Sequence, residues 1–217
     1  MVLDALPDDR SAPLDQLRAE VLEGMGLISW PAGAGSFSIN PVRRGNGVGP
    51  IKTALIDHLA GRGWDLEAQL FPGDRPGPID AYKEMDGFRM ALEWETGNVA
   101  SSYRVILKLM KALVEGRIDG GILIVSSKRI ARYLTDRIGT HDEIAWALEM
   151  LPKLFRHGHI EILVMDADRI DSRVPLIPKL ASGMGRIKAR LCEAVASHQA
   201  QRSLFEAFDV EEDAGPG

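Results

Sequence analysis

Pro78-Ile79-Asp80-Ala81-Tyr82-Lys83-Glu84-Met85-Asp86-Gly87-Phe88-Arg89-Met90-Ala91-Leu92-Glu93-Trp94-Glu95 is the stretch that decides the fold. Asp86-Gly87 is a preferred two-residue hairpin turn, so Met85 should pair with Phe88, and the numbers of opposed residues then add to 173. In that register Asp80 faces Glu93. Residues two apart along a strand share a face, so Asp80, Glu93 and Glu95 are expected on one surface. Ile79, Ala81, Met90, Leu92 and Trp94 fall on the other, as a core requires. Two carboxylates ~5 Å apart repel by roughly 3 kcal/mol at an effective dielectric constant near 20. A hard divalent cation held by oxygen ligands, Mg²⁺ by default, is the simplest counterweight.

The chain before the hairpin carries an amphipathic pattern over Leu14–Met25 and then a turn-rich loop with two arginines, Asn40-Pro41-Val42-Arg43-Arg44-Gly45-Asn46-Gly47-Val48-Gly49-Pro50. Pro50 suits a first helical turn, and Ile51, Leu55 and Leu59 give a stripe that stops near Gly61-Arg62-Gly63. Strand character resumes at Trp64. After Glu95, the break at Thr96-Gly97-Asn98 leads into a helix over Val99–Glu115, stopped by Gly116. Gly121–Val125 reads as a buried strand, most simply parallel to the one before the helix. Helices are expected over Arg129–Arg137, Asp142–Phe155 and Gly185–Gln201, and a strand over His159–Met165. The order suits one α/β domain over residues 1–212, a mixed central sheet flanked by helices with the acidic hairpin near its centre. Residues 213–217 are expected to be disordered.

The chain has 217 residues, 45% of them hydrophobic, with no apolar run long enough to cross a membrane. The first ten residues lack the basic start and apolar stretch of a secretory leader, so a cytoplasmic location is expected. Cys192 is the single cysteine, which excludes an intramolecular disulfide and a thiolate zinc cluster. The net charge of −5 is uneven: the five acids from Glu206 onward face no Lys or Arg, and the rest of the chain balances. Between Val99 and Arg137, eight basic residues stand against three acidic ones, an excess able to face phosphates or simply to line a solvated helix.

The Ile79-Asp80 hairpin, Ala91-Leu92-Glu93-Trp94-Glu95 and the following helix resemble the PD-(D/E)XK nucleases, within them the type II restriction endonucleases of the BamHI and BglII kind. The segment from Ser38-Ile39-Asn40-Pro41 through Gly45–Lys52 extends the likeness, which spans roughly residues 38–165. The resemblance implies a restriction-endonuclease-like sheet in which Asp80, Glu93 and the Trp94 carbonyl bind Mg²⁺. The usual Lys of the motif is replaced by Glu95, as in BamHI-like enzymes, so Asp80, Glu93 and Glu95 form the implied catalytic set, with Glu95 as base or water orienter. It further implies double-stranded DNA as substrate, a homodimer and a short palindrome, GATC-centred on the BglII likeness. Arg43, Arg44, Lys52, Ser101, Ser102 and Arg104 are the candidate DNA contacts. A DNA-binding module on the same fold that does not cut, or a nuclease for structured DNA, are the alternatives. Glu67 is a further but weaker ligand candidate, and Glu84, Asp86, His157 and His159 read as solvated or structural.

Overall fold

The computed structural model describes residues 8–71, 73, 76–135, 138–150 and 158–179. Helix α1 (Asp8–Gly26) leads to a two-residue strand β1 (Ser38–Ile39), helix α2 (Gly49–Gly61) and strand β2 (Asp65–Ala68). The hairpin follows as β3 (Ile79–Met85) and β4 (Phe88–Trp94), then α3 (Val99–Val114), β5 (Gly120–Ser126), the short α4 (Lys128–Ala131), α5 (His141–Leu148), β6 (His159–Met165) and β7 (Arg169–Ile170). Five strands form one sheet in the order β2-β3-β4-β5-β6. The β2-β3-β4 pairs are antiparallel, and β4-β5-β6 are parallel, as expected for a strand reached through a helix.

The hairpin takes the expected register, with Met85 opposite Phe88 and Ala81 opposite Leu92. Its turn has positive φ at both central residues, 49° at Asp86 and 76° at Gly87, which is the backbone a two-residue turn needs to match strand twist. The pairing stops at Ala81–Leu92, one step short of the expected Asp80–Glu93 pair. The Asp80 side chain instead accepts the Trp94 N–H at 2.8 Å. Alternation breaks at the same place. Ala81, Met90, Leu92 and Trp94 pack with α1 and α2, whereas Ile79, expected beside them, packs with α3 and α5. The two strands thus part where the acidic residues begin.

Each face of the sheet carries its own core. Leu17 and Val21 of α1 and Ile51, Leu55 and Leu59 of α2 cover one face. Val105, Ile106, Leu109 and Ala112 of α3, with Ile144 and Leu148 of α5, cover the other. Buried Glu20 fastens the first layer, accepting from Trp64 Nε1 at 2.7 Å and from Lys83 Nζ at 2.9 Å.

Two expectations need correction. The helix expected over Arg129–Arg137 ends at Ala131, because the backbone beyond it bonds elsewhere: the Tyr133 carbonyl accepts from Asn46 Nδ2 at 3.0 Å, and the Thr135 N–H donates to the Asn46 carbonyl. The next helix starts at His141, where the Thr140 N–H donates to Glu143 at 3.1 Å, and runs to Leu148; its expected end at Phe155 lies outside the described residues. The parallel pair β1–β7 was absent from the expectation. Asp136, Arg137, His157, Cys192, the helix expected over Gly185–Gln201 and the tail lie outside the described residues.

Candidate active site

The parting of β3 from β4 sets Asp80 at the foot of α2 and Glu93 beside α3. Asp80 Oδ2 accepts the Trp94 N–H and an ion-pair hydrogen bond from Lys52 Nζ at 2.7 Å, and the same ammonium lies 3.4 Å from the Trp94 carbonyl. Lys52 reaches this point because Pro50 opens α2 and puts Lys52 in its first turn. Glu93, 5% exposed, meets Lys108 of α3 in an ion pair, and Lys108 Nζ also donates to the Pro78 carbonyl at 2.7 Å. Glu95 is buried at the end of β4 and accepts the Gly97 N–H. A Cβ on Gly97 would sit 2.7 Å from Glu95 Oε1, so the absence of a side chain there is what lets the carboxylate fold back.

Electrostatics follow from this packing. Burial pushes Glu93 up to about 7; the negative charge of Asp80 adds to the rise, and Lys108 and Lys52 oppose it. Burial also raises Glu95, against the Gly97 N–H and the charges of Arg104 and Lys52. Asp80 acts on both glutamates, so the three acids share one electrostatic site.

They do not form a cage of three carboxylates. Among the described residues no three His, Cys, Asp or Glu side chains are grouped to hold a metal. Asp80, Glu93 and the Trp94 carbonyl are the groups there that could hold an ion, all being oxygen donors of the kind a hard divalent cation prefers. Two ammonium groups already lie against that set, Lys52 on Asp80 and the carbonyl, Lys108 on Glu93. Cations therefore suit the place.

The other expected contacts divide. Arg43 and Arg44 are exposed on the loop before α2, with Arg44 at φ 53°, and Arg104 is exposed on α3. Ser101 is half-buried, its N–H donating to the Asn98 side chain that caps α3. Ser102 is a correction: it is fully buried, its hydroxyl has no hydrogen-bond partner, and a Cβ on Gly139 would come within 2.4 Å of it. Lys52, expected on a phosphate, pairs with Asp80 here. Glu67, Glu84 and Asp86 are exposed. His159 is buried, which holds it below the usual histidine range while nearby Glu161 opposes the shift.

Of the basic residues between Val99 and Arg137, Lys111 and Arg117 form ion pairs with Glu115, Arg129 with Asp166, and Lys108 with Glu93. Lys108 is the site residue that the sequence reading missed. Its signal was present, since Val105, Lys108, Leu109 and Ala112 recur at helical spacing and put this lysine on the buried stripe of α3.

The chain matches the family model described as restriction endonuclease BamHI over residues 6–184. It is 39% identical to the type II restriction enzyme OkrAI of Oceanobacter kriegii over 185 residues, 83% of this chain and 95% of that protein. It is 35% identical to the type II restriction enzyme BamHI of Bacillus amyloliquefaciens over 184 residues, 80% of this chain and 84% of that protein. Its fold is similar to that of the restriction endonuclease BglII complexed with a DNA 16-mer, with a TM-score of 0.55 at 12% identity, covering 76% of this chain and 83% of that one. With likeness of that extent along nearly the whole of its relatives, and with the acidic hairpin at the centre of the sheet, this chain belongs to the BamHI family of type II restriction endonucleases.

Proposed function

We propose that this restriction endonuclease uses Mg²⁺ to hydrolyse both strands of duplex DNA at a short palindrome, as a homodimer. The observation that carries the metal dependence is the gathering of Asp80, the Trp94 carbonyl and Glu93 where β3 and β4 part, already balanced by two ammonium groups. Asp80, Glu93 and that carbonyl would hold the ion. When bound, a divalent ion lowers the pKa of a water and offsets charge on the scissile phosphate.

The protein's own groups do the rest. Asp80 is held by the Trp94 N–H, so its second oxygen has a fixed direction. Glu95, made a better proton acceptor by burial, takes the proton of the attacking water, with its carboxylate oriented by the Gly97 N–H. Arg43 and Arg44, exposed on the loop before α2, and Arg104, exposed on α3, meet backbone phosphates.

One site of this kind cuts one strand, and a two-fold DNA sequence calls for a two-fold protein. Leu107 and Val114 of α3, with Trp146 of α5, offer an apolar face for the second copy: they are 62%, 70% and 64% exposed. Trp146 Nε1 donates to Tyr103 Oη at 2.9 Å, which sets the two helices side by side.

Supercoiled plasmid incubated with the protein and Mg²⁺ is expected to become linear with discrete ends whose sequencing gives the site. EDTA and Glu93→Ala should each abolish linearisation. Equal cleavage in Glu93→Ala, or DNA binding with no Mg²⁺-dependent cleavage of unmethylated DNA, would overturn the reading.

A further inference from the structure

We propose that Lys52 is a tethered counter-ion that competes with the metal for Asp80 and the Trp94 carbonyl, and that its release couples metal binding to DNA binding. The inference rests on the metal-dependent reading above. One Nζ reaches Asp80 Oδ2 at 2.7 Å and the Trp94 carbonyl at 3.4 Å, so it lies on two of the three groups assigned to the ion. Mg²⁺ takes such oxygens at about 2.1 Å and Ca²⁺ at about 2.3–2.6 Å, and an ammonium in contact with the same groups would be held against either by repulsion. Occupancy by one therefore weakens the other.

The second lysine behaves differently. Lys108 has an acceptor outside the site, the Pro78 carbonyl at 2.7 Å, and its side chain is only 10% exposed. It can keep one contact and remain where it is. Both acceptors of Lys52 belong to the metal set, its side chain is 28% exposed, and its four-carbon stem is flexible. Lys52 is therefore the group that yields. Its helix starts directly after the loop bearing Arg43 and Arg44, so a phosphate drawn to those arginines offers the displaced ammonium a new anion. Metal and DNA then favour each other's binding, and the coupling is reciprocal.

The test is calorimetric titration of Ca²⁺ into the full chain without DNA, for wild type, Lys52→Met, Lys52→Arg and Arg104→Met. Arg104→Met removes a charge that acts on Glu95 without touching Asp80. Lys52→Met is expected to bind Ca²⁺ about fivefold more tightly or better, with Lys52→Arg and Arg104→Met close to wild type. In plasmid cleavage Lys52→Met should need less Mg²⁺ for half-maximal rate while its maximal rate falls, since the phosphate contact is lost. Should Lys52→Met fail to fold, Lys52→Gln takes its place in both measurements. Unchanged or weaker Ca²⁺ binding in the Lys52 variant, or equal tightening in Arg104→Met, overturns the proposal. If wild type cleaves with Mg²⁺ but the Lys52 variant shows no tightening, only this inference falls. If wild type neither binds the ion nor cleaves, the metal-dependent reading falls with it.

Discussion

Glu93→Gln should make the protein more stable at alkaline pH while destroying its activity. Burial, aided by Asp80, raises the Glu93 carboxyl from its ordinary 4.5 to about 7, even with Lys108 and Lys52 nearby. At about 1.4 kcal/mol per tenfold change in proton affinity, ionised Glu93 disfavours the folded state by about 3 kcal/mol relative to its neutral form. A carboxyl whose folded value is raised gives stability that is full below 4.5 and lost as pH rises through about 7. The amide keeps the shape and still accepts from Lys108, but it never ionises. Urea unfolding in chelator should therefore show Glu93→Gln more stable than wild type by about 3 kcal/mol at pH 8 and by less than about 1 kcal/mol at pH 5. Added Mg²⁺ should raise the stability of wild type and leave the variant largely unmoved. A variant no more stable than wild type at pH 8, or a difference independent of pH, would show that Glu93 is not held in a strained ionised state.

Four further changes probe the surroundings. Lys108→Met strips a buried carboxylate of its ammonium and should destabilise by about 1–2 kcal/mol at pH 8, because Glu93 takes up a proton once unpaired, with a smaller loss at pH 5 where Glu93 is already neutral, as read by urea unfolding. Gly97→Ala puts a Cβ 2.7 Å from Glu95 Oε1, so cleavage should fall about tenfold or more while the melting temperature stays within a few degrees of wild type. Gly139→Ala meets Ser102 Oγ at 2.4 Å and the Val99 backbone at 3.1 Å, a clash of about 1–3 kcal/mol, part of which Ser102→Ala should restore in the double variant. Asn98→Ala removes the cap that receives the Ser101 N–H and should cost about 1 kcal/mol, seen as a lower urea midpoint.

The hairpin, its register and the parallel strand after α3 were legible because their causes are local. Asp86-Gly87 adopts the positive φ that a two-residue turn needs, and the alternation from Ala81 to Met85 against Phe88 to Leu92 leaves one pairing that buries the apolar side. The pairing ends one residue before the expected register does. Asp80 and Ile79 leave the alternation because the Asp80 carboxylate takes the Trp94 N–H, a bond that a pattern of apolar and polar residues does not encode. The short α4 has a similar cause, since the groups that would extend it are bonded to Asn46, some 87 residues earlier in the chain.

By itself the sequence determined that three acids lie on the ends of paired strands at the sheet centre, since turn chemistry and two-residue periodicity act over a few neighbouring residues. Tertiary structure decided which cations meet them. Lys52 and Lys108 come from helices on opposite faces of the sheet, 28 residues from Asp80 and 15 from Glu93, and although helical spacing puts Lys108 on a buried stripe, it does not say which carboxylate either lysine meets. That choice follows from how each helix buries its apolar stripe, which carries its lysine to the carboxylate as a consequence of packing.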